Sequence, residues 1–245
     1  MIRTTAGRLR WYAGRLVSPV VAALPGRGGP PREDDPRAAE SARAEEADMS
    51  TGDVWLVVGL GNPGASYAGH RHNVGYLVVD ELARRMGSPF RAHTSRRADV
   101  VEGRFGPPGV PAPRVVLAKA RSYMNEVGGP VKTLTSFYKV PYERVVAVHD
   151  ELDIEFGTLR VKLGGGDNGH NGLKSLRSSF GTGDFHRVRA GIGRPPGRQD
   201  VADFVLSSYS GAERKELPFQ VDTAADAVES LVLDGLERTQ QRFNR

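Results

Sequence analysis

The chain has 245 residues, of which 39% are hydrophobic and 26% charged, no cysteine, and a net charge of +5 at pH 7. Disulfides, thiolate metal sites and cysteine nucleophiles are therefore excluded, and no apolar run reaches the ~18 residues that a membrane-spanning helix needs. One sizeable folded domain or two small ones are compatible with this composition, and the basic balance favours anionic partners: nucleic acid, phosphorylated substrates or a membrane surface.

Residues 1–52 differ from the rest. Up to Arg32 there are arginines and no acidic residue, whereas Glu33 to Asp48 is acidic, Ala-rich and free of aromatics. The stretch PGRGGPPREDDP is rich in Pro, Gly and charge, which predicts disorder. Leu16 to Leu24 follows Arg3, Arg8, Arg10 and Arg15 as in a secretory signal, but Pro19 interrupts its apolar run. Met49 stands directly before the first strand pattern, so residues 1–48 read as a tail or as lying upstream of the true start. A basic arm for RNA or membrane is the alternative. The folded domain is expected over 53–245.

That domain opens with VWLVVG (54–59), a short buried run ending in Gly and hence a central strand. Val74, Leu77, Val78 and Leu82 recur at helical spacing, with Gly87 as a stop. RVVLAKA (114–120) reads as a strand, and Val131, Leu134 and Tyr138 mark a helix. RVVAVHDELD (144–153) is a third buried strand, and GTLRVKLGGG (157–166) alternates into a glycine loop. GHNGLKSLRSSF starts a helix, HRVRAGIGRP is a strand, and AERKELPFQVDTAADAVESLVLDGL is helical with an early break at Pro218. Strands interleaved with helices predict an α/β fold.

Gly59-x-Gly61-x-x-Gly64 has the spacing of a dinucleotide-binding turn. Such a turn needs a helix beginning at the loop and an acidic residue ending a second strand about 20 residues on. Here the glycines lead into the polar stretch ASYAGHRHN, and Asp80 and Glu81 lie inside a helical pattern. The nucleotide reading fails both tests.

The polar stretch instead ends in Arg71-His72-Asn73, with Asn73 placed as a helix N-cap. His72 follows one strand and Asp150 ends another. In parallel strands both would reach one rim, where the Asp could orient the imidazole as a general base for water. Amides of Asn62, Asn125 and Asn171 could bind a carbonyl or an oxyanion. No G-x-S-x-G elbow occurs. A metal site built from His70, His72, His149 and Asp150 competes with this reading, although no H-E-x-x-H is present. The stretch from Leu163 to Leu173 carries five glycines in eleven residues. Basic residues bracket it: Arg160, Lys162, Lys174, Arg177, Arg187 and Arg189. Arg160 and Lys162 share one strand face, as do Arg187 and Arg189. A solvated charged face is the plain alternative to phosphate contact.

Taken together, GLGNPGASYAGHRHNVG, SYMNEVGG, VVAVHDELD, GGGDNGHNGLKS and FHRVRAGIGRP resemble bacterial-type peptidyl-tRNA hydrolase, in that family's order, from about Val54 to Leu236. The resemblance implies a single three-layer α/β domain whose central mixed sheet carries helices on both faces. It implies a cytoplasmic, usually monomeric enzyme without metal or cofactor, which cuts the ester between peptide and tRNA and recycles the tRNA for translation. It also implies His72 as catalytic base, Asp150 as its partner, and Asn62, Asn125 and Asn171 as substrate-binding amides. Tyr67, Met124 and His170 would line the cleft, and Lys162 and Arg189 would clamp the tRNA 5′-phosphate. Two features depart from the pattern: His70, where a small polar residue is usual, and the N-terminal extension. A non-catalytic RNA-binding module on the same fold is the alternative function.

Overall fold

In a computed structural model, residues 54–106, 109 and 111–244 are described. The expectations for residues 1–52 lie outside the described residues. The first apolar run forms strand β1 (Val54–Gly59), whose alternation sends Val57 to one face and Leu56 and Val58 to the other. It is joined by β2 (Arg91–Ala92), β3 (Ala98–Arg104), β4 (Arg114–Ala120), β5 (Val145–Glu151), β6 (Leu159–Leu163) and β7 (His186–Gly191). Together they make a seven-stranded sheet of order β2-β3-β4-β1-β5-β7-β6. The four central strands run parallel, while β2, β3 and β6 are antiparallel to their neighbours. The sheet is thus mixed, as expected.

Among the described residues, six α-helices accompany it: α1 (Val74–Arg85), α2 (Gly128–Tyr138), α3 (Asn171–Phe180), α4 (Val201–Val205), α5 (Gly211–Asp234) and α6 (Leu236–Phe243). One face of the sheet packs Val57, Leu117, Val146 and Val188 against Val78 and Leu82 of α1 and Ala224, Val228 and Leu231 of α5. The opposite face packs Leu56, Val116 and Ala147 against Val131 and Leu134 of α2 and Leu173 and Leu176 of α3. Burial on both faces explains why the central strands read as continuous apolar runs.

Several expectations need correction. Pro218 does not break the last long helix: α5 runs through it. A proline inside a helix costs about 3 kcal/mol. Burial of Ala224, Ala225, Ala227, Val228 and Leu231 and a Ser210–Glu213 capping box at the N-terminus offset that cost. Sequence patterns left β2, β3, α4 and α6 unassigned. β2 and β3 form an antiparallel edge with broken alternation, and α4 has five residues, too few to show a period.

The glycines after β1 serve close packing. A Cβ on Gly59 would lie 2.3 Å from the carbonyl oxygen of Gly75, and one on Gly75 would lie 2.3 Å from that of Val148. These two glycines let the first turn of α1 sit directly on the ends of β1 and β5. That contact carries Arg71-His72-Asn73 to the rim where the parallel strands end.

Candidate active site

The site is assembled at the C-terminal ends of β1 and β5 and at the N-terminal ends of α1 and α3. After β1 the chain turns at Leu60, whose N–H donates to the carbonyl of Val148. Asn73 occupies the N-cap position of α1, but its side chain makes no capping bond. It clamps Asn62 instead, accepting from the Asn62 N–H at 2.9 Å and donating to the Asn62 carbonyl at 2.9 Å. Asn62 is thereby held in place, and its Oδ1 accepts the Met124 N–H at 2.8 Å. That donor identifies the oxygen of the amide and leaves Nδ2 as the group available to a ligand.

His72 and Asp150 meet as expected. Nδ1 of His72 donates to Asp150 at 2.9 and 3.0 Å. Its Nε2 has no partner among the described residues. His170 joins the same carboxylate, with Nε2 at 3.0 Å from Oδ1 of Asp150. The other ring nitrogen of His170 caps α3 by accepting from Gly172 and Leu173 N–H groups at 3.1 and 3.3 Å. An accepting Nδ1 requires the proton of a neutral ring to sit on Nε2, so His170 is a second N–H donor to Asp150. Asp150 is almost fully buried. Burial alone would raise its pKa, but the interactions with His72 and His170, both hydrogen-bonded to it, outweigh burial and hold the carboxyl well below the usual range. Beside it, burial pushes His149 well below the ordinary histidine value, with the neighbouring His170 acting in the same direction. The Nδ1 of His149 donates to the Asp150 carbonyl at 2.7 Å.

These groups open on a cavity of about 560 Å³. Of the sequence-predicted residues, Asn62, Tyr67, His72, Met124, Asn125, Asp150, His170 and Asn171 all line it. Asn125 and Asn171 are exposed, and neither amide is spent on a protein partner among the described residues. One wall was missed: Val201, Ala202 and Val205 of α4, with Leu206 after it. Its one legible mark is Asp200, which caps α4 by accepting from Ala202 and Asp203. His70 stands aside from the cavity lining. It pairs in a β-bridge with Ser208, and its ring packs on Tyr67 with centroids 5.4 Å apart. Arg71 fastens this region. It bonds Ser207 Oγ at 2.8 Å and Glu213 at 2.7 Å, and its guanidinium lies over the Phe204 ring at 4.4 Å.

The competing metal site would draw on His70, His72, His149 and Asp150. Among the described residues the group close enough to share an ion is His72, Asp150 and His170, with donor atoms within 4.8 Å of one another. Their nitrogens are already directed at the carboxylate, so hydrogen bonding satisfies this set by itself.

Lys162 and Arg189 lie away from the cavity, on the β6–β7 surface. Antiparallel register places Arg160 opposite Arg189 and Lys162 opposite Arg187, so all four leave one face of the sheet. Their fates differ. Arg187 is buried and donates to the carbonyls of Gly165, at 2.6 Å, and Gly166, fastening the glycine loop. Arg177 pairs with Asp167 at 2.6 Å. Arg189 pairs with Glu151 at 2.9 Å. Lys162 has no ion pair among the described residues. Burial and then the charges of Arg187 and Arg189 lower its pKa, a strain that a bound anion would relieve.

Residues 56–245 match the family model described as peptidyl-tRNA hydrolase. A peptidyl-tRNA hydrolase of Streptomyces coelicolor is 63% identical over 193 residues, covering 79% of this chain and 96% of that protein. One from Frankia alni is 57% identical over 190 residues, covering 78% and 93%. The crystal structure of peptidyl-tRNA hydrolase from Acinetobacter baumannii superposes with a TM-score of 0.68 at 34% identity, covering 80% of this chain and 94% of that one. Family model, relatives and fold agree, and the chain belongs to the peptidyl-tRNA hydrolase family.

Proposed function

We propose that the protein hydrolyses the ester between the peptide and the 3′-terminal ribose of peptidyl-tRNA, with His72 as general base. The observation that carries this reading is the buried His72–Asp150–His170 cluster opening on the cavity. Asp150 keeps the proton of His72 on Nδ1, so Nε2 is the basic nitrogen and can take a proton from a bound water. The resulting hydroxide adds to the ester carbonyl. Donors from Asn62 Nδ2 and the side-chain amides of Asn125 and Asn171 receive the developing oxyanion. The tetrahedral intermediate collapses, the C–O bond to the ribose breaks, and the imidazolium returns its proton to the departing ribose oxygen. Asp150 stays ionised throughout and stabilises the imidazolium.

Lys162 and Arg189 bind the 5′-phosphate of the acceptor end. Such contacts read charge and shape with little sequence information, so specificity over peptides and tRNA sequence is broad. Release of labelled N-acyl-amino acid from N-acyl-aminoacyl-tRNA in the presence of EDTA tests the scheme. His72→Ala should lose ~10²–10⁴-fold in turnover while tRNA affinity survives. Full activity in that variant, or tRNA binding without release by the wild type, would overturn the assignment, and the latter would favour an RNA-binding module.

A further inference from the structure

β5 ends in two consecutive carboxylates, and strand alternation turns them to opposite sides. Asp150 faces the histidines. Glu151 faces β7, where its Oε2 accepts from Nε of Arg189 at 2.9 Å and forms an ion pair with Nη2 at 2.9 Å. The Glu151 side chain is 6% exposed and that of Arg189 19%. The other oxygen of Glu151 receives Nδ2 of Asn168, in the glycine loop, at 3.3 Å. A second buried carboxylate beside Asp150 is electrostatically unfavourable, and packing alone would be served by a neutral side chain. The arrangement occupies one edge of the Arg189 guanidinium and leaves Nη1 without a partner among the described residues. Arg187, the neighbouring cation on the same face, has instead turned inward to the glycine loop.

We propose that Glu151 is a positioning residue for tRNA recognition: it holds Arg189 by one edge so that the other edge is presented, alongside Lys162, to the 5′-phosphate. The inference rests on the assignment of Lys162 and Arg189 as the phosphate clamp. Arginine has many rotamers, and fixing one in advance removes an ordering cost from binding. Glu151 therefore sets how much the phosphate contributes to turnover. Its bond to Asn168 ties the same device to the loop that carries His170 and Asn171.

The test measures kcat/KM on N-acyl-aminoacyl-tRNA with and without its 5′-phosphate, and reads the ratio of the two. The wild type should favour the phosphorylated substrate by about tenfold or more, as charge-assisted contacts do. Glu151→Ala should reduce that ratio by about threefold or more, and Glu151→Gln, which keeps an acceptor for Arg189, should restore at least half of the loss. Parallel loss on both substrates at an unchanged ratio would overturn the proposal and leave an ordinary structural ion pair. A raised ratio would overturn it as well, by showing that Glu151 screens Arg189. Equal wild-type rates on the two substrates, or a wild-type ratio in Arg189→Gln, would remove the clamp itself and the inference with it. Should Glu151→Ala fail to fold, Glu151→Asp, which draws the carboxylate back by one methylene, is read by the same ratio.

Discussion

Replacing Asp150 by Asn changes one buried oxygen into NH₂ and should disable the base by reversing its tautomer. In the wild type, His72 Nδ1 lies 2.9 and 3.0 Å from the two carboxylate oxygens, and His170 Nε2 lies 3.0 Å from Oδ1. An asparagine offers one oxygen for two N–H donors, and its own NH₂ faces one of the rings. If the oxygen stays with His170, whose tautomer is set by its capping bonds, His72 must accept at Nδ1. Its proton then moves to Nε2, the atom that has to take a proton from water. A wrong tautomer together with the lost charge stabilisation should reduce kcat by ~10³–10⁴-fold, with little change in KM. The stability loss should be about 1–3 kcal/mol, the cost of a mismatched buried polar group. Its pH dependence has a definite sign. Asp150 titrates below its unfolded value, so its stabilising contribution is fully present above about pH 4 and is lost as pH falls through the depressed folded value. The gap between wild type and variant, read by urea melts, should hold at neutral pH and close in acid. Single-turnover release by Asp150→Asn within tenfold of the wild type would refute the orienting role.

Two other changes probe the surroundings. Lys162→Ala should raise KM more than it lowers kcat and reduce the slope of log affinity against log salt by about 1, because one phosphate contact is lost; an unchanged slope in a salt titration would remove Lys162 from the tRNA surface. Gly75→Ala places a methyl group 2.3 Å from the Val148 carbonyl and 2.5 Å from the Leu60 nitrogen, both backbone atoms. We expect a loss of about 3 kcal/mol, or a Tm lower by roughly 6–12 °C, in calorimetry; a Tm within about 2 °C of wild type would contradict the packing argument.

Much of this molecule was legible along the chain. The buried runs of β1, β4 and β5 announced a parallel core, because a strand covered on both faces cannot alternate. The helical spacing of Val74, Val78 and Leu82 located α1, and Gly87, at φ 63°, marked its end. The edge β2–β3 and the short α4 were not legible. Edge strands and one-and-a-half-turn helices are held by what they pack against, and periodicity needs more residues than they contain.

The candidate site divides along the same line. Residue types and their places at strand ends were enough to nominate His72 and Asp150, since parallel strands deliver their C-terminal residues to one rim. Contacts between residues far apart in sequence decided the rest. Asn73 looked like a helix cap and became the clamp on Asn62, because Gly59 and Gly75 bring α1 close enough to reach the loop after β1. Arg187 and Arg189 looked equivalent by alternation, yet one fastens the glycine loop and the other is held by Glu151. Local sequence determines period, face and turn, which are short-range preferences of the backbone. Which buried polar group finds which partner is settled only when the strands and helices close on one another, because an unpaired group inside costs more than any local preference can offset.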